Sequence, residues 1–458
     1  MVNVNVIGAG LAGCEAAWQA ASCGAHVTLY EMKPEKKTPA HRSDGFCELV
    51  CSNSLRSAEL TNAGGLLKEE LFRMGSLVME AAYASRVSAG GALAVDRDLF
   101  SGYVTEKIRN CPSVDTVSRE ITSLDFSDVT VVATGPLTSA AMAEEIKRIT
   151  GDRRLYFYDA AAPIVDASTV DMKKAFFASR YGKGTADYVN CPFTEEEYKA
   201  FYRALLGAET AELHDFEKGD SLKVFEGCMP VEVMASRGED TLRYGPMKPV
   251  GIRNPETGET YYAVVQLRKE NEEGTMYNIV GFQTHLTWGE QKRVFRMIPG
   301  LENAEFLRYG VMHRNTFLDS PSLLDGDYSM RDRKDLFFAG QMTGVEGYIE
   351  SCASGFVAGI NAARRAAGLG RLVFPPEMMT GAMARYISTG GSVPGDFQPM
   401  NANFGIVPPA DVRIKGGKKA RAGFYSERAL EVTGSFAASL EQAKTEVLET
   451  IRAEEARK

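Results

Sequence analysis

An α/β chain built on a Rossmann-type dinucleotide-binding domain is predicted by three observations at its start. A short apolar strand (Val4, Val6, Ile7) runs into Gly8-Ala9-Gly10-Leu11-Ala12-Gly13, the G-x-G-x-x-G pattern. Small residues follow at helical spacing (Ala17, Ala20) up to Gly24, predicting a helix that sits close to a sheet. A second strand around Val27–Tyr30 then ends at Glu31, about 20 residues beyond the glycines.

Each element of that unit has a mechanical reason. Gly8 makes the tight turn, Gly10 lets backbone approach a pyrophosphate, and Gly13 lets the helix pack against the strand. Ala9, Leu11 and Ala12 complete the turn, and the helix start offers unpaired N–H groups and a positive dipole end to phosphate. Glu31 is suited to accept hydrogen bonds from a ribose 2′-OH.

Further along, Met32–Arg42 is a Lys/Pro-rich loop, and Cys47–Leu71 mixes helical periodicity with a polar break at Ser52-Asn53-Ser54. Residues 64–81 repeat apolar positions at three and four, which predicts one amphipathic helix. Val129–Gly135 reads as a buried strand ending in Ala-Thr-Gly. Residues 151–304 change character, with more aromatics, proline breaks and alternating segments at Tyr261–Leu267 and Tyr277–Phe282. They are expected to form an inserted α+β domain. Leu336–Gly344 is a further apolar strand ending in glycine, followed by a helix over Gly347–Ala367. A terminal charged helix is expected over Ser435–Arg457. The expected division is therefore 1–150 and 305–458 for the two parts of the dinucleotide-binding domain, the second with a C-terminal helical extension, and 151–304 for the insertion.

Composition narrows the function. At 458 residues, with 44% hydrophobic and 24% charged residues, the chain has the profile of an ordinary globular protein. The first strand is expected from residue 4, so no signal peptide is expected ahead of it. No apolar run of about 18 residues is free of Gly, Pro or charge, so no membrane span is expected. Eight cysteines lack C-x-x-C pairing and none of the five histidines forms H-x-x-x-H, so no metal site is expected. A cytoplasmic protein with free thiols fits this usage. The net charge of −8 argues against a generally basic nucleic-acid binder. It leaves room for a local basic face, and the loop expected over Arg413–Arg421 carries five positive charges and no acid.

Only one G-x-G-x-x-G stands in a strand–helix context, so a nicotinamide cofactor has no Rossmann domain of its own here. Two cysteines stand out by context. Cys51 is flanked by Ser52-Asn53-Ser54, with Arg56 five residues on. Cys228 sits between Gly227 and Met229-Pro230, where a flexible and a stiff residue frame a bend. Cys14, Cys23, Cys111, Cys191 and Cys352 read as small buried hydrophobes. Cys47 and Cys51 form C-x-x-x-C, which leaves a redox-disulfide reading open.

The segments GAGLAGCEAAWQ (8–19), HRSDGFCELVCSNSLRS (41–57), ALAVDRDLF (92–100), VFEGCMPVEVMASRG (224–238), RYGPMKPVG (243–251), GFQT (281–284), FFAGQMTGVEGYIES (337–351) and FQPMNANFGI (397–406) together resemble the TrmFO family. These are folate- and FAD-dependent tRNA (uracil-5-)-methyltransferases, short relatives of GidA/MnmG. Asp319 departs from that pattern, which expects Asn or another small polar residue there. The resemblance implies a two-dinucleotide-fold flavoprotein architecture with a single fingerprint, and FAD held by Gly8–Gly13, Glu31, Gly340 and Gln341. It implies 5,10-methylenetetrahydrofolate as one-carbon donor, reduced FAD as carrier and reductant, and NADPH or NADH as the source of electrons. It makes Cys228 the thiolate that adds to uracil C6. It makes Cys51 a second functional thiol, either an acid/base group or a transient cap on the site. Arg237 and Arg243 are candidates, by sequence proximity alone, for the cation beside Cys228. The implied partner is tRNA, whose T-loop uridine must be turned out into the pocket; neither DNA nor a membrane is expected. The same chemistry on a ribosomal RNA uridine, an FAD-dependent thiol/disulfide oxidoreductase, and a non-catalytic RNA-binding flavoprotein remain the alternatives.

Overall fold

The computed structural model describes residues 2–38, 40–151, 154–160, 162–211, 229–269, 274–310, 312–389, 397, 399–412 and 414–456; of 154–160, 312–316 and 418 it describes the backbone alone. A five-stranded parallel sheet organises one of its two large cores. Its strands are β1 (Asn3–Ile7), β2 (His26–Glu31), β3 (Val114–Ser118), β4 (Val129–Val132) and β5 (Leu336–Phe338), in the order β5-β4-β1-β2-β3. In β1, Val4 pairs with Val27 on one side and Val129 on the other, so the apolar N-terminal strand is interior to the sheet. Parallel strands covered on both faces need near-continuous apolar sequence, and β4 (VTVV) is buried at every position.

Helix α1 (Leu11–Ser22) packs against α3 (Tyr348–Ala366). Two glycines make the approach close. A Cβ on Gly355 would lie 2.1 Å from the Ala12 carbonyl oxygen, and one on Gly359 would lie 2.3 Å from that of Ala16. The small residues on both helices are therefore a packing requirement.

The second core is antiparallel. Six strands run in the order Phe176–Phe177, Val189–Phe193, Ala263–Lys269, Met276–Ile279, Ile164–Asp166, Phe306–Arg308. The helix Glu195–Leu206, started by a Thr194/Glu197 capping box, lays Tyr198, Phe201 and Leu205 into this core. Residues 154–160 and 312–318 pair antiparallel as a separate two-stranded ribbon.

Three expectations need revision. Residues 64–81 form two helices, α2 (Ala63–Arg73) and Leu77–Ala84, because Gly75 turns with φ +83° and Ser76 caps the second helix through Met79 N–H. The terminal helix, α5 (Gly417–Glu455), is far longer than 435–457. The described part of the basic run is thus partly helical rather than a loop. Between them α4 (Met379–Thr389) packs on α2.

Candidate functional site

The C-terminal ends of β1, β2, β4 and β5 open into a cleft of about 1310 Å³ of space continuous with solvent. Crevices at the carboxyl ends of parallel strands are where this fold class binds ligands. The fingerprint forms one wall. Gly8 turns with φ +100°, and a Cβ there would meet the Ala133 carbonyl at 2.6 Å. A Cβ on Gly13 would stand 1.7 Å from the Gly8 carbonyl oxygen, so Gly13 lies behind the cleft and fixes helix to strand. Gly10 differs: a Cβ there meets no protein atom within 4 Å. It is the N-cap of α1, and no side chain caps that end. The first turn of α1 therefore presents its donors to the cleft.

Glu31 closes the loop from the other side. Its Oε2 accepts the Ala9 N–H at 2.8 Å and its Oε1 accepts the Lys33 N–H at 3.0 Å. The acid expected to face a ribose also staples the glycine turn to the end of β2. Gly340 (φ +86°) brings the turn after β5 against Ala12, and its N–H donates to Ser354 Oγ at 2.7 Å. Gly8, Ala9, Gly10, Leu11, Ala12, Glu31, Gly340, Gln341 and Cys51 all line this one cleft.

A second cleft, with several charged and amide side chains in its lining, adjoins the first and shares Cys51, Gln341 and Tyr348 with it. Lys68, Arg56, Arg268, Asn278 and Glu350 also line it. Lys68 is buried, with Nζ donating to the Ser57 and Gly64 carbonyls, and burial pulls its pKa down to about 8. Asn278 is buried, and its Nδ2 finds no partner among the described residues.

Cys51 stands at the junction of the two clefts, half-buried, with Sγ 2.9 Å from Tyr348 Oη. Cys47, by contrast, is fully buried and its N–H donates to the Ala9 carbonyl; burial and then the neighbouring Cys14 push its thiol well above the ordinary range. The two cysteines form no disulfide with each other and have different environments. Cys228 lies outside the described residues. Arg243 pairs with Asp240 at 2.6 Å, and its guanidinium carbon lies 3.8 Å from the Tyr262 ring centroid.

Sequence reasoning missed Tyr348 and His41. His41 lines the first cleft beside Thr38, and burial, then Lys33, lowers its pKa, favouring neutral imidazole. Tyr348 had a signal, a tyrosine directly after the glycine that starts α3.

A family model described as glucose inhibited division protein A matches residues 3–370. A Desulfitobacterium hafniense protein named methylenetetrahydrofolate--tRNA-(uracil-5-)-methyltransferase TrmFO is 58% identical over 439 residues, 96% of this chain and 99% of that protein. The chain belongs to the TrmFO branch of the GidA family. A Ligilactobacillus salivarius protein of the same name is 59% identical over 429 residues, covering 94% of this chain and 97% of its own. Among solved structures, Aquifex aeolicus GidA in its form I crystal superposes with a TM-score of 0.69 at 18% identity, over 98% of this chain and 78% of that one. That likeness supports the α/β fold with an additional domain. Among the described residues no helix of this TrmFO-branch chain is long and apolar enough to cross a membrane.

Proposed function

We propose that this chain methylates C5 of the T-loop uridine of tRNA, with 5,10-methylenetetrahydrofolate as one-carbon donor and FAD as resident cofactor. The observation that carries this reading is identity of 56–59% over nearly the whole chain to proteins named for that reaction.

The residues suit FAD. The open space over Gly10, the uncapped start of α1 and the carboxylate of Glu31 match a pyrophosphate and a ribose in that order. Gly8–Gly13, Glu31, Gly340 and Gln341 are the residues proposed to hold it. When bound, FAD supplies the carrying of the one-carbon unit and the electrons that turn it into a methyl group. NADPH or NADH is proposed to restore those electrons from the open face, since the sequence carries one fingerprint alone.

The chain's own residues do the rest. Uracil C5 is a poor nucleophile until a thiolate adds to C6, which shifts the C5–C6 electron pair onto an enolate. Cys228 is proposed for that addition and Cys51, at the cleft junction, for the second thiol role. The second cleft, with Asn278 and the cations Lys68 and Arg268, suits a heterocycle rich in carbonyl acceptors. Lys415, Lys419 and Arg421 are exposed near the start of α5 and suit RNA phosphate, offsetting the few kcal/mol needed to turn a base out. The division 1–150, 151–304 and 305–458 is the proposed domain organisation, supported by a second core whose fully buried members all fall within 165–304, with Phe306 packed at its margin. The proposed compartment is the cytoplasm, with tRNA as the reason.

The test is methyl incorporation by the FAD-bound protein into unmodified tRNA with methylenetetrahydrofolate and NAD(P)H. The expected outcome is labelled tRNA, dependent on folate. Labelling of ribosomal RNA instead, or folate-independent reduction of a disulfide, would move the assignment to an alternative.

A further inference from the structure

The contact between Cys51 and Tyr348 has a direction that hydrogen-bond accounting reveals. Sulfur and oxygen lie 2.9 Å apart, and by that distance either atom qualifies as donor. Two further groups decide the matter. The Cys51 backbone N–H donates to Tyr348 Oη at 2.9 Å, and the Ser52 N–H points at the same oxygen from 3.4 Å. A phenol oxygen accepts through its lone pairs and owns one proton. With both backbone donors aimed at its lone pairs, its proton is left for the third neighbour, Cys51 Sγ.

We infer that Tyr348 is a positioning residue for Cys51: its hydroxyl donates to the sulfur, fixes the side chain at the junction of the two clefts and favours the thiolate. The fold supports this placement. Tyr348 is the first residue of α3, behind Gly347 at φ +128°, so its ring is anchored where two backbone N–H groups of the Cys51 segment converge on it. Burial, and then the neighbouring Cys51, hold the phenol well above its ordinary pKa, so it keeps the proton it donates.

The cations around the pair point the same way, and the carboxylates that line the two clefts oppose them. Arg308, at the end of the strand Phe306–Arg308, interacts electrostatically with both Cys51 and Tyr348; Arg97 acts on Tyr348 from the helix Arg97–Arg109, and Arg42 lies near Arg308. His41 and Glu48 line the first cleft, and Glu346, in the second, accepts from Gln341 Nε2. A thiol beside cations and a hydroxyl donor ionises below the ordinary ~8.5.

This inference rests on the proposed catalytic use of Cys51, but its test needs neither RNA nor folate, so the two fail separately. The FAD-bound wild-type protein and Tyr348→Phe are alkylated with iodoacetamide across pH, and the Cys51 peptide is quantified by mass spectrometry. Cys51 also lines the second cleft, which gives the reagent a route. In the wild type, the midpoint for Cys51 is expected below ~8.5. In Tyr348→Phe it rises, and the rate at pH 7 falls with the thiolate fraction, which drops about tenfold for each pH unit of that rise and is partly offset by the greater nucleophilicity of the more basic thiolate. Superimposable profiles would overturn the assignment. If Tyr348→Phe loses its flavin, the wild-type midpoint decides alone: a value at or above ~8.5 overturns it.

Discussion

At the scale of single residues, two glycines of one turn do different work. Gly13 has no room for a methyl group because the Gly8 carbonyl stands 1.7 Å from where its Cβ would sit. Gly10 has room on every protein side and keeps an ordinary φ of −78°. Gly13→Ala is therefore expected to lower stability by about 1–3 kcal/mol or more, seen as a fall in the denaturation midpoint. Gly10→Ala is expected to change the stability of the flavin-free protein by less than about 1 kcal/mol while cutting retained FAD. Flavin-to-protein absorbance ratios alongside denaturant titrations separate the two outcomes. Equal flavin retention in Gly10→Ala and wild type would contradict the assigned role of the open space. Sequence spacing was enough to read these positions, because the turn demands glycine for reasons local to the turn. The Tyr348–Cys51 pair was illegible: its members are 297 positions apart and meet only once α3 is docked.

Among elements, the buried carboxylate of Glu70 joins α2 to the N-terminus of α4. It accepts from Met379 N–H, Thr380 N–H and Thr380 Oγ1 at 2.7, 2.9 and 2.8 Å. These donors and the helix dipole favour the charged form, but burial outweighs them and lifts the pKa from 4.5 to about 7. The folded state then binds this proton more tightly than the unfolded chain does. The contribution is full below about 4.5 and is lost as pH rises through about 7. The gap corresponds to about 3 kcal/mol. The stability difference between wild type and Glu70→Gln, from urea titrations at several pH values, is expected to shrink across that window; a pH-independent difference would contradict it. Element boundaries were the least legible part of the sequence. Residues 64–81 keep helical periodicity through Gly75 and Ser76, so pattern alone missed a break made by one positive φ and one cap. The start of α5 was hidden for the opposite reason, since a basic run with two glycines reads as loop until it packs.

Across the whole molecule, a parallel sheet sets the dinucleotide cleft, an antiparallel core stands beside it, and Cys51 sits where the cleft meets its neighbour. Four strands of the parallel sheet were readable from the fingerprint and their apolar runs, whereas the edge strand Val114–Ser118, exposed at most positions, was not; the antiparallel unit was readable from its change in composition. The second cleft was not, because Lys68, the paired residues Arg268 and Asn278, and Glu350 come from three separated stretches of chain. The central claim is that a cysteine of this chain adds to a tRNA pyrimidine. Its most direct test is incubation of the FAD-bound protein, methylenetetrahydrofolate and NAD(P)H with tRNA carrying 5-fluorouridine, then peptide mapping of any protein–RNA complex. The account predicts a denaturation-resistant complex whose RNA is attached at Cys228 and which is lost in Cys228→Ser; a complex mapped to another residue, or none where ordinary tRNA is methylated, would contradict it.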